Sequence, residues 1–236
     1  MTAHILDRPV WNTLATRQAR FAVGGDRARR FAPDVGPLAG ARDDEPESLA
    51  ALAELVPIDD TLLLLQADPI VLPPSLAAVK TATGVQLVLD RLTEVGPDAR
   101  IAPLTVDDAA AMLELATLTR PGPFGPRTPG LGEFFGVKEQ GRLVAMAGEP
   151  MKQAGFTEVS GVCTHPDARG RGLARLLSAH VARCILARGE TPYLAAYATN
   201  TPAIRLYESL GFRPRCEVNV VMVARAGHDS TKTVLR

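Results

Sequence analysis

The sequence predicts a mixed α/β fold, and three observations carry that expectation. Strand-like and helix-like segments alternate along the chain. A continuous strand-like run over 156–164 leads through a glycine-rich turn into an amphipathic helix over 172–188. A second strand and helix, 193–197 and 201–210, follow at once.

Size and composition frame this reading. The chain has 236 residues, 46% apolar and 22% charged, so it fits one or two globular domains and not a disordered polymer. Lys plus Arg is 26 and Asp plus Glu is 26, which gives zero net charge and excludes a nucleic-acid partner held by bulk electrostatics. The basic residues are nearly all arginines, which suit bidentate anion recognition. No apolar run reaches the ~18 residues of a membrane span. The stretch from Met1 to Val10 shows no signal-peptide core. Cys163, Cys184 and Cys216 have neither disulfide nor zinc spacing, so no metal is expected and a reducing cytoplasmic setting is the expectation.

The elements follow in order. Residues 8–18 read as a helix, with Pro9 near its first turn. Residues 20–23 and 29–32 flank Gly24-Gly25-Asp26, a hairpin signal. Leu49, Leu52, Ala53 and Val56 give a helix over 47–56. Residues 61–66 and 85–89 read as strands, and Gly96-Pro97 marks a boundary between domains 1–97 and 98–236. Beyond it lie a strand at 101–104 and a helix capped by Asp107 or Asp108 and running to Thr119. Next comes a Pro- and Gly-rich segment from Pro121 to Gly136, then a hairpin of 134–137 and 142–147. Leu173, Leu176, Leu177, Val181, Cys184 and Ile185 form one face of the helix over 172–188. Asn200 or Thr201 caps the next helix, with Pro202 in its first turn and Gly211 as its stop, and 217–224 is the final strand.

The segment that carries chemistry is Val162-Cys163-Thr164-His165-Pro166-Asp167-Ala168-Arg169-Gly170-Arg171-Gly172-Leu173-Ala174. A strand enters a glycine turn that opens a helix, where unpaired backbone N–H groups and the helix dipole favour an anion. Arg169, Arg171 and Arg175 add positive charge, so the segment calls for a phosphate or pyrophosphate. A Walker loop is excluded because no lysine stands in the turn. A dinucleotide fingerprint lacks its third glycine, since Arg175 occupies that place, and Glu190 precedes the next strand instead of ending it.

The remaining pattern, Arg169-x-x-Gly172-x-Ala174, resembles the acetyl-CoA signature of the GNAT N-acyltransferase superfamily. The stretch Asn200-x-x-Ala203-x-x-x-Tyr207-x-x-x-Gly211-Phe212 resembles that family's second block. Gly161-Val162-Cys163-Thr164-His165-Pro166 is closest in wording to the branch holding the C-terminal domain of glycine N-acyltransferases. The resemblance covers roughly residues 98–224. It implies a GNAT fold whose mixed central sheet is splayed between the fourth and fifth strands with helices flanking it. The first half would then be a smaller, degenerate GNAT-like unit.

The resemblance also implies roles. Arg169, Gly170, Arg171, Gly172, Leu173 and Ala174 would cradle the CoA pyrophosphate, and Val162, Cys163 and Thr164 would pair with the pantetheine arm. Asn200 and Ala203 would meet that arm from the other side, and Tyr207 would lie near the sulfur as the acid. The Cys163 N–H is a candidate thioester donor, with Thr164 as a neighbour. Glu158 is the candidate base, with Glu133 and Glu149 as rivals. An acyl-cysteine at Cys163 would need a histidine partner, and His165 should leave the strand on the opposite face. Phe124, Arg127, Phe134 and Phe135 would border the amine substrate, and Arg127 would suit a carboxylate on it. The expected activity is transfer of an acyl group from acetyl-CoA to a small-molecule amine, without nucleic acid or membrane, and with room for a homodimer. A non-catalytic CoA sensor and a protein lysine or N-terminal acetyltransferase are the alternatives.

Overall fold

The structure, a computed structural model, describes residues 4–227. The chain forms two compact units. The first holds the chain up to Pro33, Pro37–Gly84 and the stretch from Glu217 on; the second holds Asp34–Gly36 and Val85–Cys216. The boundary expected at 97/98 lies inside the second unit. Gly96-Pro97 breaks the local backbone pattern without separating one body from another. Its neighbour Val95 is buried in the second unit's core and its carbonyl accepts from Arg183 at 2.7 Å.

The first unit starts with helix α1 (Pro9–Ala15) and the hairpin of β1 (Ala22–Gly24) and β2 (Ala28–Phe31). Strand β3 (Leu38–Ala41), helix α2 (Pro46–Leu55) and strand β4 (Leu62–Gln66) follow, with β3 and β4 parallel. Strand β5 (Leu76–Leu89) begins in this unit and ends in the next. The apolar face of α2, led by Leu52 and Ala53, packs on Ala28, Ala39, Leu62 and Leu64.

The second unit adds β6 (Ile101–Leu104), α3 (Ala109–Thr119), β7 (Phe134–Glu139), β8 (Arg142–Gly148), β9 (Lys152–Gln153), β10 (Phe156–Glu158) and β11 (Ser160–Thr164). Helix α4 (Leu173–Ala187), β12 (Thr191–Tyr197), α5 (Thr201–Ser209) and β13 (Phe212–Arg225) complete it. Beyond Cys216, β13 belongs to the first unit, where Asn219–Val223 pair antiparallel with β4. A 3-10 turn over Val106–Asp108 leads into α3: Thr105 caps that turn, accepting from Asp107 N, while Asp108, one of the two expected cap residues, is the N-cap of α3 and its side chain accepts from Thr105 N at 3.0 Å instead of capping α3. The hydroxyl meets one amide and the Asp108 carboxylate the other, a reciprocal pair in which each side chain satisfies one orphan N–H.

Strands β11, β8, β7 and β6 form one antiparallel sheet in that order, while β10 pairs parallel with β12 in another. Two cores sandwich the first of these sheets. On one face Leu173, Leu177, Val181 and Ile185 of α4 pack on Val137, Val144, Ala145 and Ala147. On the other, Met112, Leu115 and Ala116 of α3 pack on Phe134, Leu143, Met146 and Cys163. Truncating fully buried Leu177 to alanine would cost about 2–5 kcal/mol.

Candidate active site

The run 156–164 is a pair of strands. The leading one, β10, pairs with β12 through Glu158↔Tyr193, and Val159 N donates to Tyr193 O at 2.8 Å. From Ser160 the chain turns to β8 instead, with an irregularity between Ser160 and Cys163 where Gly161 takes φ 62°. The sheets therefore diverge at Val159. Strand β11 is the edge strand of its sheet and β12 runs on past its pairing with β10, so a groove opens between them. This is the splay the sequence implies between 156–164 and 193–197.

The irregularity decides which amides face the groove. His165 N donates to Val144 O at 2.8 Å, and Cys163 stands opposite Met146 in the same register. Antiparallel ladders alternate, so the Cys163 N–H also turns to β8, and those of Val162 and Thr164 turn away from it. The Cys163 N–H is thus not the outward donor; Thr164, the neighbour, and Val162 are. The Cys163 thiol packs in the α3-side core, where burial raises its pKa to about 11, so it is not poised as a nucleophile. His165 stays in the turn: its Nδ1 accepts from Asp167 N at 3.2 Å.

After β11, Gly170 and Gly172 take φ 75° and 73°, the left-handed region that favours glycine. Gly172 caps α4 without any side-chain cap and with no acid in the first turn. The first bond into the helix is Leu176 N to Gly172 O, at 3.0 Å, which leaves the N–H groups of Leu173, Ala174 and Arg175 without helical acceptors. Space around Gly170 and Gly172 is open. Arg171 is engaged elsewhere: it meets the Glu139 carboxylate at 3.0 and 2.5 Å, unlike its neighbours in sequence Arg169 and Arg175. Uncapped amides, open space and positive charge fit a pyrophosphate.

Glu158 stands where the strands diverge. Val159 belongs to the α4-side core, so Glu158 turns to the opposite face. It is 6% exposed, and burial alone, with no cation contributing, pushes its pKa up to about 8. Burial raises the Tyr207 phenol to about 12, and the charge of Glu158 adds to that. Tyr207 lies edge-on to Phe212, at 6.1 Å between ring centroids, and packs against the core. Tyr193, which the sequence marks only as a strand residue, is fully buried beside Glu158, and its hydroxyl accepts from Gln153 Nε2 at 2.8 Å. Its partner lies 40 residues away, so no local pattern marks the pair. The rival carboxylates are occupied. Glu149 bonds Lys152 at 2.7 Å and Arg188, and Glu133 pairs with Arg188 at 3.0 Å. Asn200 caps α5, its Oδ1 accepting from Ala203 N at 3.3 Å, so its amide nitrogen is the group left to donate.

The acceptor-side residues divide. Phe124 meets Phe134 edge-on at 5.8 Å, on the α3 side. Phe135 turns to the α4 side and meets His180 edge-on at 4.5 Å between ring centroids, because neighbouring strand residues face opposite ways, so it does not join that wall. Arg127 pairs with Asp34 at 3.1 Å, so its charge is already met.

The comparisons with known proteins fit this geometry. The FR47-like protein family matches residues 134–221. The chain is 42% identical to a GNAT-family candidate acetyltransferase of Novosphingobium aromaticivorans DSM 12444, over 95% of this chain and 100% of that one, at a TM-score of 0.89. Two further structures share the fold. One is a GCN5-related N-acetyltransferase of Kribbella flavida (18% identity, 98% and 99% coverage, TM-score 0.64). The other is a tandem GNAT protein of the clavulanic acid biosynthesis pathway (17%, 86% and 79%, TM-score 0.52). No curated protein matches. The chain belongs to the GNAT acetyltransferase superfamily.

Proposed function

We propose that the protein transfers the acetyl group of acetyl-CoA to a small primary amine by direct attack. The observation that carries this is the buried Glu158, without a cation beside it, at the point where β10–β12 pairing ends and the groove begins. The Leu173–Arg175 amides, with Arg169 and Arg175, bind the pyrophosphate, and the outward edge of β11 pairs with the pantetheine arm. Acetyl-CoA supplies the thioester carbonyl; the amine supplies the electron pair. The C–N bond forms as the C–S bond breaks. Glu158 takes the proton that the amine loses, directly or through a water. Tyr207, which stays protonated up to about pH 12, returns a proton to the departing thiolate. The Thr164 or Val162 N–H is placed to meet the carbonyl oxygen.

The pairing of Arg127 with Asp34 leaves an amino-acid acceptor without its cation and favours an amine of apolar body. Free-thiol release from acetyl-CoA, with 2-phenylethylamine, glycine and a lysine peptide as acceptors, tests the reading. Thiol release that depends on an amine supports it. Tight acetyl-CoA binding without release on any amine overturns catalysis in favour of a CoA sensor. Release on the peptide alone moves the acceptor to protein.

A further inference from the structure

We propose that residues Asp34–Gly36 are a clip that positions the acceptor wall; this rests on the transferase reading above. The three residues stand in the chain between β2 and β3 yet pack within the second unit. Val35 is 2% exposed. Thr128, 4% exposed, is the pivot: its Oγ1 donates to Val35 O at 2.6 Å and accepts from Gly125 N at 2.7 Å. Arg127 N donates to Asp34 O at 2.9 Å, and the Arg127 guanidinium meets the Asp34 carboxylate at 3.1 Å. A Cβ on Gly125 would stand 2.7 Å from Asp34 O and 2.9 Å from Val35 O, so only glycine lets the two backbones approach this closely.

The residue before Gly125 is Phe124, whose ring meets Phe134. A Cβ on Gly161 would stand 3.1 Å from the Phe134 ring and 4.0 Å from that of Phe124. An unbroken line of contact therefore runs from the clip through Thr128 and Gly125 to the aromatic wall over the strand irregularity beside the groove. Thr128 does not reach the groove; it is a positioning residue. Misplacing a substrate wall by about an ångström can cost up to roughly 100-fold.

The test compares wild type, Thr128→Val and Thr128→Ser. Valine keeps the volume but removes the hydroxyl that serves both partners. The acceptor is 2-phenylethylamine, or whichever panel amine releases thiol. The expected result for Thr128→Val is an amine KM raised about tenfold, an acetyl-CoA KM within about twofold, and wild-type behaviour in Thr128→Ser. An unchanged amine KM, or equal rises in both constants, overturns the clip. Asp34→Ala, an exposed change, repeats the test at about a threefold amine effect should Thr128→Val fail to fold. If wild type transfers to no amine, the catalytic reading falls separately and hydrogen exchange reads the clip. Thr128→Val should then speed the amides of 124–131 and of Gly161–Cys163 about fivefold and leave α4 unchanged. Acceleration that stops at 131, or that spreads over α4, overturns it.

Discussion

Helices α2 and α4 each follow a strand through a turn, and the two turns answer the same helix dipole in opposite ways. Ahead of α2 stand Asp43, Asp44 and Glu45, with Pro46 at the first position and Glu47 in the first turn. Asp43 accepts from Glu45 N at 3.3 Å, and Asp44 pairs with Arg8 at 2.5 Å. Neither helix start has a side-chain cap, but next to α4 stand glycines and arginines, with no acid in its first turn. One start is flanked by the chain's own carboxylates, which would repel a phosphate; the other has none in its first turn and suits the anion of the proposed reaction. The buried carboxylates repeat the contrast. Glu149 is held by Arg188 and Lys152, whereas Glu158 has burial as the sole cause of its shift. Groups the chain satisfies itself hold structure, and groups it leaves open mark chemistry.

Breaking that distinction at Glu158 should have the largest effect. Glu158→Gln is expected to lower kcat by about 100- to 10,000-fold, with acetyl-CoA binding unchanged by calorimetry. In wild type the carboxylate fraction grows as pH rises through about 8, so kcat should climb and level off there, while the glutamine variant stays flat. Stability runs the other way. A folded pKa above the ordinary 4.5 stabilises fully below that value and loses its contribution as pH rises to about 8. The melting temperature of Glu158→Gln should therefore gain on wild type between about pH 5 and 8.

Next comes Gly172→Asp, which puts an acid into the cradle. Open space around Gly172 lets the side chain fit, so acetyl-CoA affinity should fall about 100-fold while folding survives at a cost of roughly 1–2 kcal/mol. Calorimetry and a thermal melt check both. Tyr207→Phe should lower kcat about tenfold with little change in acetyl-CoA affinity. Equal turnover would remove Tyr207 as the acid. Asp43→Ala at the other helix start, which removes the acceptor of Glu45 N and of Arg42 Nε, should cost about 1 kcal/mol in a denaturant melt and leave acetyl-CoA affinity untouched.

The elements legible in the sequence are those fixed by local rules. Helix α4 shows its apolar stripe, α5 its Asn200 cap and Pro202, and the β1–β2 hairpin its Gly24-Gly25-Asp26 turn. Strand β3, Leu38-Ala39-Gly40-Ala41, escapes notice because small residues give no alternation. The first half of β5 escapes it because residues 77–81 are all exposed. The break at Val159 is hidden because both halves of 156–164 look equally strand-like; which sheet each joins depends on partners far along the chain. The glycine turn and uncapped start of α4 could be read from Gly170, Gly172 and the arginines around them. That Arg171 belongs to Glu139, 32 residues away, and Arg127 to Asp34, 93 residues away, could not.

The route of β13 bears on how the protein is made. The first unit holds residues before position 85, Asp34–Gly36 excepted, together with the stretch from Glu217 on, and β4 finds its antiparallel partner only in Asn219–Val223. A nascent chain that has emerged as far as Gly84 therefore lacks a strand of its own sheet, and the entire second unit must be synthesised before that strand arrives. Closure of the first unit is a late, long-range step, slow by contact order. A ribosome-bound chain stalled before Glu217 should expose the Leu62–Gln66 edge to chaperones.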